Sequence, residues 1–313
     1  MEASAPVSVL LPTVRRAEAI EEVAAQLEAE DELLVVCDDT QDPVAGEWET
    51  MAAHADERVR LVMAGEPAGC SGKANAIAAG MEAARHERLV WTDDDFHHPP
   101  GWPDELRSDY ERDGPVTEVP VFEGHDPLSI ALEPLYALVG TAGVAAGDVA
   151  WGGAVCFDRS DLPDAAAFRA DLRRTVSDDG LLTDVLDELR AAERTRTIPV
   201  GGNVRASLER HVRFSQIVRH HDPTMLAVLS LALLAFVAGA VAFPLVGAAS
   251  STAVVGAAYA RFGIRRWTFL LAFPTLLAQL PLAAYALGRR TFVWGGRRYR
   301  WRSKFDVEVV DGP

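Results

Sequence analysis

Short unbroken apolar runs alternate with amphipathic stretches over the first hundred residues. Val7–Leu11, Leu33–Cys37, Val59–Met63 and Leu89–Thr92 are aliphatic or β-branched throughout or nearly so. Runs of that length read as strands buried on both faces. After the first, Ala17, Ile20, Val23, Ala24 and Leu27 share one helical face; before the fourth, Ala74, Ile77, Ala78 and Met81 do the same. The alternation predicts a mostly parallel α/β sheet covered on both faces. Ligands of such sheets bind beyond the carboxyl ends of the strands. Farther on, Trp151–Phe157 predicts a strand whose Gly152 and Gly153 permit close backbone approach. Leu181–Ala192 predicts a helix opened by Ser177 as N-cap. A helix beginning near Ser207 carries Arg210, Arg213, Gln216, Arg219, His220 and His221.

The pattern changes at Pro223. No charge occurs from Pro223 to Ala260, nor from Trp267 to Gly288. About 20 apolar residues cross a bilayer core. The first stretch therefore predicts two helices broken at Phe243-Pro244, the second of them weaker and open to a re-entrant path. The second stretch predicts one helix, bent at Pro274 and Pro281. The segment Leu128–Val144 is expected to lie in the membrane interface. No signal peptide is expected, because Val7–Leu11 is short and meets Pro12. Three domains follow: a head over residues 1–222, a membrane domain of two to three helices over 223–290, and a basic tail over 291–313.

Charge sharpens this division. The whole chain of 313 residues carries a formal net charge of −16. Residues 223–313 contribute +7 and residues 1–222 contribute −23. Nucleic acid is excluded as a partner, since nothing supplies a general phosphate-neutralising surface. Lys73 and Lys304 are the only lysines against 28 arginines. An acidic, lysine-poor head suits a protein working in high salt, where repulsion is screened. Cys37, Cys70 and Cys156 are too scattered for a disulfide framework and read as reduced thiols. Arg265 and Arg266 lie between candidate spans, which places them and the head on the cytosolic side. Three full crossings would put Arg289, Arg290, Arg297 and Arg298 on the opposite side, against the same rule; one re-entrant segment removes the conflict.

The candidate chemistry is acidic. Asp38-Asp39 follow the second predicted strand and Asp93-Asp94-Asp95 the fourth. Three consecutive carboxylates repel unless a cation is present. Asp93 and Asp95, two apart on an extended segment, can face one way and share a hard divalent ion with substrate phosphates. Gly69-Cys70-Ser71-Gly72-Lys73 opens a helix but lacks the spacing of a phosphate-binding P-loop. Lys73, the head's single lysine, can still reach a phosphate from the helix start. Ser177-Asp178-Asp179 offers either favourable first-turn acids or a general base. The pairs His97-His98 and His220-His221 lack a third ligand at metal spacing.

In this order the pieces resemble the inverting glycosyltransferases of families 2 and 21, especially ceramide glucosyltransferase-like membrane enzymes. Val36-Cys37-Asp38-Asp39 is similar to their first aspartate motif, Trp91-Thr92-Asp93-Asp94-Asp95 to the second and Ser177-Asp178-Asp179 to the third. Gln216-Ile217-Val218-Arg219-His220 is similar to the last motif, which precedes membrane helices. Gly72–Ala76, Gly152–Leu162 and Trp294–Arg300 resemble the connecting segments. The resemblance implies a GT-A fold, a Rossmann-like mixed sheet, followed by C-terminal transmembrane helices. It implies that Asp38 or Asp39 holds the nucleotide, that Asp93 and Asp95 hold the sugar nucleotide and Mg²⁺ or Mn²⁺, and that Asp179 is the general base. Lys73 and Asp178 are expected to bind substrate, and Gln216 and Arg219 would sit near the diphosphate or the acceptor. The implied partners are a nucleotide-sugar, expected to be a UDP-sugar, and a lipid in the cell membrane, with the head facing the cytoplasm. A polysaccharide or polyprenyl-phosphate acceptor, or an inert nucleotide-sugar-binding module, is the alternative. Two departures stand out: His220 replaces the usual tryptophan, and the family's N-terminal membrane helix is missing, which leaves anchoring to the C-terminal spans.

Overall fold

The computed structural model describes residues 5–147 and 149–310; the outer ends of the first and last expected domains, residues 1–4 and 311–313, lie outside them. Ten strands run in chain order as β1 (Val7–Pro12), β2 (Glu32–Cys37), β3 (Val59–Met63), β4 (Arg88–Thr92), β5 (Val116–Gly124), β6 (Ala154–Asp158), β7 (Arg190–Val200), β8 (Thr291–Trp294), β9 (Arg297–Ser303) and β10 (Asp306–Val310). The helices before the middle of the chain are α1 (Glu18–Ala24), α2 (Pro43–Glu47), α3 (Gly72–Ala83), α4 (Trp102–Asp113), α5 (Pro127–Leu135) and α6 (Ala142–Ala145). They are followed by α7 (Ala165–Leu172), α8 (Asp178–Val185), α9 (Val204–His221), α10 (Pro223–Ala242), α11 (Pro244–Arg261) and α12 (Ala272–Gly288). Two compact units divide this chain, each built from separated segments: Met1–Glu118, Gly147–Arg194 and Lys304–Val309 in the first, Val119–Ala146, Thr195–Ser303 and Val310–Pro313 in the second.

The first unit is organised by a seven-stranded sheet in the order β3-β2-β1-β4-β6-β5-β7, whose β5 and β7 run on into the second unit. β1 pairs in parallel with β2 and β4, and β2 with β3. β6 is antiparallel to both β4 and β5. β2 and β4 are buried at every residue and β1 at all but Pro12. That burial explains why they read as unbroken apolar runs. β1 lies between β2 and β4, so the strand order reverses beside it, and ligands of such sheets bind outside the carboxyl ends at that point. The core above α3 gathers Leu10, Ile77, Met81, Trp91, Phe157 and Phe168, and Trp91 stacks on Phe168 at 6.1 Å. Cys37, Cys70 and Cys156 are buried free thiols.

One expected helix is corrected. α8 stops at Val185, and Arg190–Val200 is a strand of 11 residues. Much of β7 is only partly covered, so its arginines and glutamates hide the two-residue alternation that the buried strands do not need. The chain also returns to the first unit at its end. Lys304 Nζ pairs with Asp184 Oδ2 at 2.7 Å on α8, and Phe305 packs against the core.

The second unit is helical. Asn203 caps α9, its side chain accepting from the Ala206 amide at 2.9 Å, so that helix starts three residues before Ser207. Phe243 is the break between α10 and α11, and Pro244 occupies the first position of α11. Gly247 lets α10 and α11 approach: a Cβ there would stand 2.9 Å from the Ala240 Cβ. Tyr136–Thr141 forms a π-helical stretch between α5 and α6, and Ala137 packs with Val255, Tyr259 and Ala272. Among the described residues, three helical stretches are long and apolar enough to cross a membrane: Pro127–Ala145, Pro223–Ala242 and Trp267–Gly288. The first of these was expected in the interface. Leu245 is 85% exposed and Val241 74%, an amount of bare apolar surface that water does not favour.

Candidate active site

The site is built at the carboxyl ends of β2 and β4 and at the starts of α3 and α8. Ser71 begins it. Its Oγ accepts from the Ala74 amide at 3.1 Å, capping α3, and donates to the Val176 carbonyl at 2.7 Å. The Ser71 amide bonds the Thr175 carbonyl at 3.0 Å. The start of α3 and the loop before α8 are thereby joined. Asn75 on α3 donates to the Gly65 carbonyl at 2.7 Å, and the Gly65 amide donates to the Asp38 carbonyl at 2.9 Å. Through these bonds one helix start fixes both the first and the third aspartate loop.

Lys73 reaches from α3 into the carboxylates. Its Nζ lies 2.5 Å from Asp93 Oδ1 and 3.3 Å from Asp178 Oδ2, and it donates to the Gly152 carbonyl at 3.3 Å. Gly152 must lack a side chain here. A Cβ would stand 2.7 Å from Asp178 Oδ2 and 3.3 Å from Lys73 Nζ. The neighbouring Gly153 carbonyl accepts from the Asp93 amide at 3.3 Å. Burial opposes the Lys73 charge, but Asp178, Asp93 and Asp179 around it outweigh burial and raise its pKa. Burial pushes Asp178 up to about 6 even though Lys73 pulls the other way. Asp93 is raised for the same reason, with Lys73 again opposing. One cation is thus shared among more carboxylates than it can neutralise.

Asp179 is held differently. Its Oδ1 accepts from Ser177 Oγ at 2.5 Å and from the Gly180 amide at 2.9 Å. Its Oδ2 has no hydrogen-bond partner among the described residues. Thr183 Oγ1 bonds the Asp179 carbonyl at 2.8 Å. One carboxylate oxygen is thus anchored at a helix N-terminus and the other is not.

The other expected residues have distinct places. Asp38 is buried and Asp39 half-buried; Asp42 Oδ2 accepts from both their amides, at 2.7 and 3.1 Å, which shapes the loop after β2. Asp95 is exposed, in an environment unlike that of Asp93. Asp94 is taken up by Thr13 Oγ1 at 2.6 Å and Arg15 Nε at 3.1 Å. Gln216 and Arg219 lie in the second unit on α9, where Gln216 donates to the Arg289 carbonyl at 3.0 Å and Arg219 is exposed. Sequence reasoning missed Thr13 and Arg15. Their position just beyond β1, at the reversal of strand order, was the available signal.

The donor set suits a divalent ion in part. Among the described residues no three ligands of His, Cys, Asp or Glu converge as a cage. A hard ion such as Mg²⁺ needs no such cage, since it takes one or two carboxylates and completes its shell with phosphates and water. The Asp93 loop carries carboxylate oxygens of that kind, and Asp93 Oδ1 pairs with Lys73 Nζ.

Residues 8–131 match the family model described as Glycosyl transferase family 2. No curated protein matches the chain. Among solved structures, mannosyl-3-phosphoglycerate synthase from Rubrobacter xylanophilus is 17% identical, with a TM-score of 0.43 over 68% of this chain and 72% of that one. Glucosyl-3-phosphoglycerate synthase from Mycobacterium tuberculosis, in complex with phosphoglyceric acid, is 18% identical, with a TM-score of 0.41 over 72% of this chain and 80% of that one. The sheet order, with β6 reversed between β4 and β5, is that of a GT-A domain. The first unit is thus organised by a mostly parallel mixed α/β sheet of GT-A fold, and residues 8–131 are similar to the family 2 glycosyltransferases.

Proposed function

We propose that the protein is an inverting glycosyltransferase that moves a sugar from a nucleotide diphosphate donor to a lipid hydroxyl at a membrane. The observation that carries the chemistry is the cluster of Lys73, Asp93 and Asp178 beside a half-held Asp179. Inverting transfer needs a base on one side of the anomeric carbon and positive charge on the other. Asp179 Oδ2 is the base. It takes the proton of the acceptor hydroxyl as the oxygen bonds the anomeric carbon and the bond to the diphosphate breaks. Ser177 and the Gly180 amide keep the other oxygen fixed while this happens. Lys73 carries the one side-chain ammonium in the cluster, and a shift from Asp93 to the donor phosphate gives the departing charge a partner. Asp93 and Asp95 would hold Mg²⁺ or Mn²⁺, which when bound supplies further positive charge to the diphosphate. The loop of Asp38 and Asp39 would hold the base or ribose. The motif assigns Gln216 and Arg219 to the diphosphate or the acceptor. UDP is the nucleotide we propose.

A lipid acceptor is favoured by the three apolar helical stretches and by the bare surface of α10 and α11. The positive-inside rule, applied to Arg265 and Arg266, favours a head on the cytoplasmic side. The test uses the full chain in detergent with labelled UDP- and GDP-sugars, Mg²⁺ or Mn²⁺, and a lipid extract. Label in the organic phase is expected. 3-Phosphoglycerate belongs in the acceptor panel: label appearing only on it, in the aqueous phase, overturns the lipid assignment. No release from any donor overturns the enzyme reading.

A further inference from the structure

The turn between α11 and α12 takes no part in the reaction above, yet it borders a shallow open groove of about 430 Å³. Gly256 and Tyr259 of α11 form one wall; Ile264, Arg265, Trp267 and Phe269 form the other. The wall is largely apolar, and the Trp267 ring is 62% exposed at its rim. The two arginines of the turn differ. Arg266 is committed, with Glu123 Oε1 at 2.6 Å and Glu133 Oε1 at 2.8 Å. Arg265 is exposed and makes no ion pair among the described residues. Arg261, one turn earlier, is exposed as well, its guanidinium 5.7 Å from the Phe262 ring. The sequence holds no acidic residue between Asp222 and Asp306. The two carboxylates that do reach the turn, Glu123 and Glu133, are both used by Arg266.

An uncommitted guanidinium at the mouth of an apolar groove, beside an exposed indole, complements a molecule with an anionic head and a hydrocarbon body. We propose that this groove seats an anionic membrane phospholipid, with Arg265 on the phosphodiester and the first acyl carbons against Ile264 and Phe269. The membrane phospholipid is the committed occupant because the groove lies between two charge-free stretches, which on the membrane reading above are surrounded by lipid. The inference rests on the membrane part of the reading above and is independent of the sugar transfer.

The full chain in a neutral detergent is titrated with short-chain phosphatidylglycerol, and retained lipid is counted by native mass spectrometry. Phosphatidylcholine and inorganic phosphate are the comparison ligands. Arg265→Gln is expected to weaken phosphatidylglycerol binding by about fivefold, the worth of one arginine at an anionic surface. Gly256→Leu tests the shape without changing charge. A Cβ at Gly256 stands 3.6 Å from Phe269 Cδ2, so a branched side chain fills the groove and should abolish retention. Equal retention by both variants overturns the proposal. So does phosphatidylcholine binding as tightly as phosphatidylglycerol, which would indicate a nonspecific lipid shell. Displacement of the lipid by equimolar inorganic phosphate would reassign the groove to a soluble anion and also overturns it. Lipid binding that survives in a chain showing no sugar transfer would sink the enzyme reading alone.

Discussion

Each unit places an ion cluster out of full contact with water, and the two are finished differently. In the second unit Glu133 is buried with every oxygen engaged: the Gly124 amide at 2.7 Å, Arg266 Nε at 2.9 Å, and Thr268 Oγ1. Tyr259 and Thr268 extend that network at 3.1 Å. In the first unit Lys73 faces Asp93 and Asp178 with Asp179 close by, and Asp178 Oδ2 meets it as an ion pair without a well-aligned hydrogen bond. A satisfied pair is an architectural joint, whose value lies in not being broken. An under-neutralised cluster is a stored demand for a cation or a proton, which is what a site of transfer requires.

Four changes test that contrast. Asp179→Asn should lower turnover by about 10²- to 10⁴-fold, the range for loss of a general base. Donor binding, followed by calorimetry, and the melting temperature should stay as they are. Arg266→Met strands Glu133 and should cost about 3 kcal/mol of stability. A falling midpoint in thermal unfolding, with donor affinity kept in the surviving fold, is the expected pattern; an unchanged midpoint would mean the joint carries no load. Gly152→Ala pushes a methyl group to 2.7 Å from Asp178. Turnover should drop by about tenfold or more through displaced Lys73, consistent with the cost of sub-ångström misplacement. The smallest effect concerns acid stability. Glu32 is buried, which raises its pKa, but the Arg85 amide, Ser8 and Arg60 more than reverse this and hold it below the usual carboxylate range. Its contribution is therefore present above the unfolded carboxylate value and lost as pH falls through the folded one. Urea midpoints measured from pH 6 down to pH 3 should fall less steeply in Glu32→Gln than in the parent.

The strands of the first unit were legible because burial on both faces leaves no polar positions to confuse the reading: β1 to β4 lie where the apolar runs stand. β7 was not legible. It owes its extended form to pairing at the edge of a sheet, a long-range effect that Arg190, Glu193 and Arg196 conceal locally. For the site, position beyond a strand singled out Asp93, helix starts singled out Lys73, Asp178 and Asp179, and the fold gathers the four. Spacing alone suggested a common face for Asp93 and Asp95. In the structure Asp93 is partly buried against Lys73 and Asp95 is exposed, while the Asp94 carboxylate between them bonds Thr13 and Arg15. Nor does any local pattern reveal that Gly152 has to be bare; that depends on a helix start some eighty positions away.

The return of the chain after β9 has a practical consequence for anyone wishing to isolate the head. Ending the polypeptide at residue 222 would remove the greasy helices and with them Lys304 and Phe305, which brace the helix bearing Asp179 from behind. A shortened version that stays in solution but has lost its turnover would then report a missing brace rather than a missing lipid, and grafting residues 304–310 back through a flexible tether would tell the two apart.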